Sequence, residues 1–274
     1  MRLDAYLVRK AFVRSREAAK RRISTGDVYI NGIVAQKASQ PVTDKDVIKL
    51  NGEDIPFVSR GGLKLKAALL ACADFFTVHG NWLDVGSSTG GFTHCLLKYG
   101  ANNVIALDVG SNQLHPSLRE DARVTIMENT NAREMVPDWF PSPLNGAVMD
   151  VSFISVTKIV PGLRTVLKEG SYLITLIKPQ FEAGKRFLNK RGIVTDSKVH
   201  KLVLEKVTEC LCMNGFQILS LLPSPIVGQD GNREFLAVTK RSEKAYLPTH
   251  DAICQCLNGK TVLISAAKCC IKAE

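Results

Sequence analysis

No apolar run in this 274-residue chain approaches the roughly 20 residues that span a bilayer, and no apolar core follows the basic residues near its start. The sequence therefore predicts a cytoplasmic protein with neither a membrane span nor a secretion signal. Eight cysteines are present (Cys72, Cys95, Cys210, Cys212, Cys254, Cys256, Cys269 and Cys270), yet none forms Cys-x-x-Cys, and most sit in apolar helical or strand-like contexts. That pattern argues for buried free thiols over disulfides or zinc, and no metal is expected. Acid is scarce at the start of the chain. Residues 1–40 carry nine Lys/Arg against three acids, which accounts for six of the ten net positive charges. With no apolar face beside it, such a basic segment points to a polyanion, and to nucleic acid before membrane. A solvated basic face is the plain alternative.

Hydrophobic content of 45% supports a sizeable core, and the length fits one α/β domain plus a small accessory domain. The accessory part, residues 1–54, reads as two short helices and a hairpin. Leu3, Leu7 and Phe12 make one apolar stripe; Ser15 is placed to cap a second helix carrying Ala18, Ala19 and Ile23, and Gly26 to end it. Val28-Tyr29-Ile30 and Ile33-Val34 flank Asn31-Gly32, a turn pair that tolerates the two positive φ angles of a tight hairpin. Arg14, Arg16, Lys20 and Arg21 are spaced to line one face of the second helix with cations, the candidate RNA-binding residues of this part.

After a linker at 55–58, apolar runs ending at polar residues alternate with helical patterns from 59 to 242. Trp82–Val85, Val104–Asp108, Val124–Met127, Ala147–Asp150 and Tyr172–Lys178 read as strands; helices are expected at about 60–73, 92–99, 153–168 and 198–214. Such alternation predicts a doubly wound parallel sheet that binds ligands at the carboxyl ends of its strands. Phe216–Leu219 and Glu234–Val238 have no helix between them and are expected to pair antiparallel. Residues 243–274 read as a C-terminal tail of uncertain structure.

The first strand runs into Asp84-Val85-Gly86-Ser87-Ser88-Thr89-Gly90-Gly91-Phe92. Glycine lets backbone approach a ligand, and a helix start offers N–H groups, so such a turn suggests a nucleotide cofactor. Alone, the pattern is weak. Asp84, read as part of the turn, would repel a pyrophosphate but welcome the ammonium and sulfonium of S-adenosylmethionine. Asp108, at the end of the next strand, could accept from both ribose hydroxyls. S-adenosylmethionine is therefore favoured over NAD, with Gly86, Ser88, Thr89, Gly90 and Gly91 along the loop and Asn131 and Ala132 at the adenine.

The acceptor follows from what is missing at the next strand ends. Asp150-Val151-Ser152-Phe153 lacks the prolines of a base-amino methyltransferase turn, and no Pro-Cys supplies the nucleophile of a carbon-5 enzyme. A hydroxyl acceptor remains. A ribose 2′-hydroxyl needs a base, and a lysine serves only where its surroundings favour the neutral amine. Lys178 ends its strand beside the expected methyl position; Lys64 offers a second cation, and Asp150 and Glu234 offer partners. Ordinary ion pairs are the bland reading of each residue taken singly.

Two sets of residues carry a resemblance. Arg2-Leu3-Asp4 through Lys20-Arg21-Arg22-Ile23 to Gly26–Gly32 resembles the S4 RNA-binding domain. Val58–Lys64, Asp84–Thr93, Thr130–Arg133, Asp150–Ser155, Ile177–Glu182 and Gly231–Glu234 resemble, in order, the motifs of the TlyA family, whose members join an S4 domain to an FtsJ-like domain. The resemblance covers about residues 1–240. It implies a Rossmann-like S-adenosylmethionine-dependent methyltransferase domain behind a small α+β S4 domain. It also implies 2′-O-methylation of ribosomal RNA cytidines, with ribosomal RNA or a ribosomal subunit as partner and Lys64, Asp150, Lys178 and Glu234 as catalytic tetrad. Some members bear the label haemolysin. The chain opens at Met1-Arg2-Leu3-Asp4 without the basic extension of members that modify both subunits, so 23S rRNA is the expected substrate. Ile55-Pro56-Phe57-Val58 lacks the arginine some members carry there, which leaves a linker role in cofactor binding open.

After Lys178, the stretch Phe181–Gly192 sets Lys185, Arg186, Lys190 and Arg191 beside Phe181 and Phe187. It is expected to clamp the target nucleotide, with cations on phosphates and an aromatic on the base. A plain mobile loop is the alternative. Two other functions compete: an RNA-binding or ribosome assembly factor with a vestigial cofactor fold, and a pore-forming haemolysin, which would need membrane-active segments that are not visible. Transfer RNA remains open as substrate, and so does the oligomeric state.

Overall fold

The computed structural model describes residues 1–264, apart from 11, 14, 25, 51–55, 229 and 230. The chain divides into two compact units, Met1–Pro56 and Phe57–Glu274. No helix among the described residues is long and apolar enough to cross a membrane.

In the first unit, α1 (Leu3–Arg9) and α2 (Arg16–Ser24) pack on a small sheet of β1 (Val28–Ile30), β2 (Ile33–Val34) and β3 (Ile48–Leu50) in the order β2-β1-β3. Leu3 and Leu7 are fully buried, as their spacing on one helical face predicts. Phe12 does not continue the stripe: α1 ends at Arg9, Phe12 is exposed, and Val13 takes the core position. The Ser15 hydroxyl accepts from the Ala18 N–H at 3.1 Å, so the expected cap is present. Asn31 and Gly32 both have positive φ (52° and 84°) and bring Ile30 opposite Ile33. The strand that sequence reading missed, β3, pairs with the other edge of β1. Asn31 helps to seat it by accepting from the Val47 N–H and donating to Asp46, both at 2.8 Å.

The cationic helix face is only partly as expected. Arg16 donates to Asp4 at 2.9 Å, and Arg2 donates to the same carboxylate at 3.1 Å. The Asp4 side chain is inaccessible to solvent, and the Arg2 guanidinium first, then Arg16, holds it well below the usual carboxylate range. Arg16 therefore has a structural task, binding α2 to the start of α1. Lys20 and Arg21 are exposed on α2, and Arg14 lies outside the described residues.

The second unit opens with α3 (Gly61–Ala71) and then alternates: β4 (Asn81–Val85), α4 (Gly91–Lys98), β5 (Asn103–Leu107), α5 (Pro116–Arg119), β6 (Val124–Met127), β7 (Leu144–Met149), α6 (Val160–Val166), β8 (Leu167–Ile177) and α7 (Pro179–Glu182). It closes with α8 (Ser197–Met213), β9 (Phe216–Pro223), β10 (Phe235–Arg241), α9 (His250–Leu257) and β11 (Val262–Leu263). The described strands form one sheet in the order β11-β9-β10-β8-β7-β4-β5-β6. From β8 to β6 every neighbouring pair is parallel; β10 enters antiparallel against β8, and β9 antiparallel against β10. Near-continuous apolar runs such as Leu173–Ile177 are buried on both faces, which is what a sheet covered by helices on either side requires.

Two expectations change. The helix predicted over 153–168 starts late: residues 151–155 form a loop in which Phe153 has φ of 63°, followed by a 3-10 turn at Val156–Lys158 and then α6. The segment from residue 243 is not a separate tail as far as residue 264. Thr249 caps α9, whose Ala252, Ile253 and Cys256 enter the main core, and β11 adds a strand beside β9. Cys269 and Cys270 lie outside the described residues.

Candidate active site

The carboxyl ends of β4, β7 and β8 and the start of β10 surround a cavity of about 360 Å³. Its wall includes five charged residues: Arg60, just before α3, and four expected residues contributed by four different elements. Lys64 comes from α3, one turn inside the helix start. Asp150 and Lys178 follow the last residues of β7 and β8, and Glu234 precedes β10. They form two ion pairs. Lys64 Nζ lies 2.5 Å from Glu234 Oε2, and Lys178 Nζ lies 2.6 Å from Asp150 Oδ1. Lys178 also donates to Ser152 Oγ at 2.9 Å. Lys64 and Glu234 are 170 residues apart in sequence and are both buried, with Glu234 only 3% exposed. A buried pair of this kind adds little net stability, because desolvation of both charges offsets their attraction. Its placement on a cavity wall is the more informative fact.

The glycine-rich loop forms another wall. Gly86, with φ of 82°, sits where a Cβ would come within 2.7 Å of the Asp150 carbonyl oxygen, so only glycine lets the loop pass the end of β7. At Gly91 a Cβ would meet Ser59 Oγ at 2.2 Å and the Gly62 nitrogen at 3.0 Å, so glycine also lets α4 start against α3. Of the residues expected to bind a cofactor, Gly86, Ser88, Thr89 and Gly91 line the cavity. Gly90, Asp108, Asn131 and Ala132 do not. Asp108 lies beyond β5, accepting from the Ser88 and Gly110 N–H groups at 2.8 Å each, while its own carbonyl accepts from Thr130 at 2.9 Å. The Asp108 and Asn131 segments thus meet along the same strand ends, beside the loop.

Asp84 requires a correction. It belongs to β4, not to the turn, and is completely buried behind the cavity wall. Its Oδ2 accepts from the Thr93 hydroxyl at 2.6 Å and the Thr93 N–H at 2.8 Å, tying β4 to the first turn of α4. Burial pushes its carboxyl up to about 7, the Thr93 bonds oppose this, and the charges of Asp150 and Asp108 add to the rise. The ordinary value is 3.8, so the folded protein binds this proton more tightly than the unfolded chain. The resulting stabilisation is full below the unfolded value and is lost as pH rises through about 7. Wild-type protein should lose a few kcal/mol of unfolding free energy between about pH 4 and pH 8 from this group. Asp84→Asn should lack that decline. Urea midpoints measured at intervals across this range test it, and parallel profiles for the two proteins would show Asp84 to be ionised throughout.

Sequence reading missed Phe153, which is 92% exposed at the cavity mouth with its ring centroid 5.1 Å from that of Phe181. An aromatic three positions after Asp150 was the available signal. It also missed Ser152, Gln180 and the apolar pair Ile226 and Val227, all on the same wall. Lys185 and Arg186 form a 3-10 turn away from the cavity; both are exposed, and Arg186 stacks on Phe187 at 4.7 Å.

Residues 57–241 match the FtsJ-like methyltransferase family, and residues 1–48 match the S4 domain. The chain belongs to the FtsJ-like methyltransferase family. The expected Rossmann-like fold behind an S4 domain and the resemblance to TlyA proteins both hold for this FtsJ-like protein. It is 38% identical over 247 residues to the 16S/23S rRNA (cytidine-2′-O)-methyltransferase TlyA of Mycobacterium tuberculosis, covering 89% of this chain and 91% of that one. It is 33% identical over 254 residues to the 23S rRNA (cytidine-2′-O)-methyltransferase TlyA of Campylobacter jejuni, covering 86% and 97%. A solved structure from Streptococcus thermophilus that carries the name hemolysin superposes with a TM-score of 0.75 at 39% identity, covering 94% of both chains.

Proposed function

We propose that this FtsJ-like protein transfers a methyl group from S-adenosylmethionine to the 2′-hydroxyl of a cytidine ribose in ribosomal RNA, with 23S rRNA of the large subunit as substrate. The observation that carries the reading is the meeting of Lys64, Asp150, Lys178 and Glu234 on one cavity wall, next to the glycine-rich loop. The names of the two TlyA relatives, both of which include 23S rRNA, support the substrate.

The residues fit the cofactor. Burial first, and then the charges of Asp150 and Asp108, raise the Asp84 carboxyl, and a bound cation would relieve the repulsion among these three acids. S-adenosylmethionine supplies an electrophilic methyl on a sulfonium, so its departure needs no charge stabilisation from a metal. The protein's part is to bind, orient and deprotonate. Gly86, Ser88, Thr89 and Gly91 would hold the cofactor, with Asp108 at its ribose and Asn131 and Ala132 at its adenine. Lys178, beside Asp150 and Ser152, accepts the proton of the 2′-hydroxyl, while Asp150 fixes the amine in place. Lys64, held by Glu234, shapes the adjoining wall. Phe153 and Phe181 offer an aromatic surface at the mouth for a base removed from its helix, and Lys185 and Arg186 offer cations to flanking phosphates. Lys20 and Arg21 of the S4 domain, with Arg16 and Arg14, add further phosphate contacts. The reaction belongs in the cytoplasm with its ribosomal substrate.

The test is transfer of labelled methyl from S-adenosylmethionine to separated large subunits, small subunits and transfer RNA, with the modified ribose mapped. Label on a cytidine of large-subunit RNA is expected. Label on the small subunit as well would broaden the substrate to both subunits; label on no RNA, with RNA binding intact, would leave a binding factor. In the same assay Lys185→Glu/Arg186→Glu should weaken RNA binding and turnover, and unchanged values would remove the loop from the substrate path.

A further inference from the structure

Two segments that present side chains to the cavity are poorly able to hold their own shape. The loop 151–155 carries Ser152 and Phe153, and Phe153 adopts φ of 63°, a left-handed conformation that disfavours an aromatic residue. The helix α7, which follows Lys178 and carries Gln180 and Phe181, is a single turn of four residues. One turn gains too few hydrogen bonds to offset the cost of nucleating it. Something outside each segment must fix them.

The buried side chain that joins them is Glu182, the last residue of α7. It is 6% exposed and absent from the cavity wall. Its Oε2 accepts from the Ser155 hydroxyl at 2.5 Å, and its Oε1 accepts from the Val156 N–H at 2.7 Å. Lys206 of α8 secures the clasp from behind: its Nζ donates to the Glu182 carbonyl at 3.0 Å and lies 3.5 Å from Oε2. Ser155 in turn engages Thr157 Oγ1 at 2.7 Å, so the clasp extends into the 3-10 turn before α6. On the cavity side the same two segments face each other through Lys178 with Asp150 and Ser152, and through Phe153 with Phe181.

We infer that Glu182 is a positioning residue for methyl transfer: from behind the wall it fixes the Phe153 loop against α7, and so sets Lys178 and the Phe153–Phe181 pair in register for the incoming nucleotide. This rests on the reading of Lys178 as the base. The acid is chemically suited to the task. A carboxylate offers two acceptor oxygens in one plane, enough to take one hydroxyl and one backbone N–H at once, and burial excludes the water that would compete for them.

Misplacing a reactive group by about 1 Å can lower turnover about 100-fold. Glu182→Ala is therefore expected to lower kcat by about 10- to 100-fold, with the dissociation constant for S-adenosylmethionine within about two-fold of wild type, because the Glu182 carboxylate bonds to Ser155 and Val156 and not to the glycine-rich loop. Glu182→Gln should recover most of the turnover: its amide oxygen still accepts from Val156, and its NH₂ donates to Ser155, whose hydroxyl can turn to Thr157. Ser155→Ala, which removes the hydroxyl's bond to Glu182 together with its bonds to Thr157 and leaves the acid in place, should lower kcat several-fold. That variant decides the matter if Glu182→Ala does not fold. Turnover within about two-fold of wild type in Ser155→Ala and in any folded Glu182→Ala, or a Gln variant as impaired as the Ala variant, would overturn the inference. Lys178→Ala run alongside separates the two ideas. If it stays active, the base assignment has failed; if it is inactive while the Glu182 and Ser155 variants turn over normally, only the clasp has failed.

Discussion

Replacing Lys178 by alanine is expected to lower kcat about 1,000-fold or more while leaving the affinity for S-adenosylmethionine nearly unchanged, since a positioned general base is worth about 10²- to 10⁴-fold. Lys178 lies at the end of β8, its Nζ between the Asp150 carboxylate at 2.6 Å and Ser152 Oγ at 2.9 Å. Both neighbours fix the position of Nζ. Asp150 holds the ammonium, and the Ser152 hydroxyl can accept from the ammonium or turn and donate to the amine. Arginine is the informative second replacement. A guanidinium would keep the charge and the pairing with Asp150, but it cannot give up a proton at any pH the protein survives. If Lys178 only paired with Asp150, Lys178→Arg would retain most of the activity. The base role requires Lys178→Arg to be as inactive as Lys178→Ala, in single-turnover assays with labelled cofactor and saturating RNA.

Much of this site is legible in the sequence because the fold places ligands at strand ends, and strand ends can be read. Asp150 and Lys178 each follow an apolar run that could only be an inner strand, and each falls one residue beyond it in the structure. Lys64 and Glu234 were harder, since neither follows a parallel strand. The residues offer them only as a second cation and a partner, the resemblance implies their place in a tetrad, and their contact across 170 residues is a product of tertiary folding alone. What stayed illegible has physical causes. Phe153 sits in a left-handed conformation that no propensity anticipates, and the loop it occupies delays α6 by several residues. Asp84 falls within the expected strand Trp82–Val85, yet beside the glycine-rich loop it reads as a turn residue facing a cofactor, whereas its side chain turns inward to Thr93. The last described helix and strand lack any strong pattern: α9 is short, and β11 contributes two residues whose pairing with β9 is fixed by the partner. Glu182 closes one of the motifs of the resemblance, but its task stays hidden until its burial is seen.

The Lys64–Glu234 pair allows stability and catalysis to be separated, and it carries the second large effect. With Glu234 3% exposed, Lys64→Met removes its counter-charge and leaves a largely buried carboxylate without an ion-pair partner among the described residues. Breaking one side of a buried pair costs about 3–5 kcal/mol, so this variant should unfold roughly 10 °C below wild type. Lys64→Met/Glu234→Gln removes the stranded charge. Buried pairs give little net stability over neutral replacements of similar size, so the double variant should regain at least half of the lost thermal midpoint. Methyl transfer should not return with it, because the cavity wall would then lack both the second cation and the acid that orients it. Thermal unfolding and labelled methyl transfer on the two variants distinguish the cases. Recovery of stability without activity assigns the pair to the reaction. Recovery of both together would mean that Lys64 and Glu234 only hold α3 to the start of β10, leaving Lys178 and Asp150 to do the chemistry unaided.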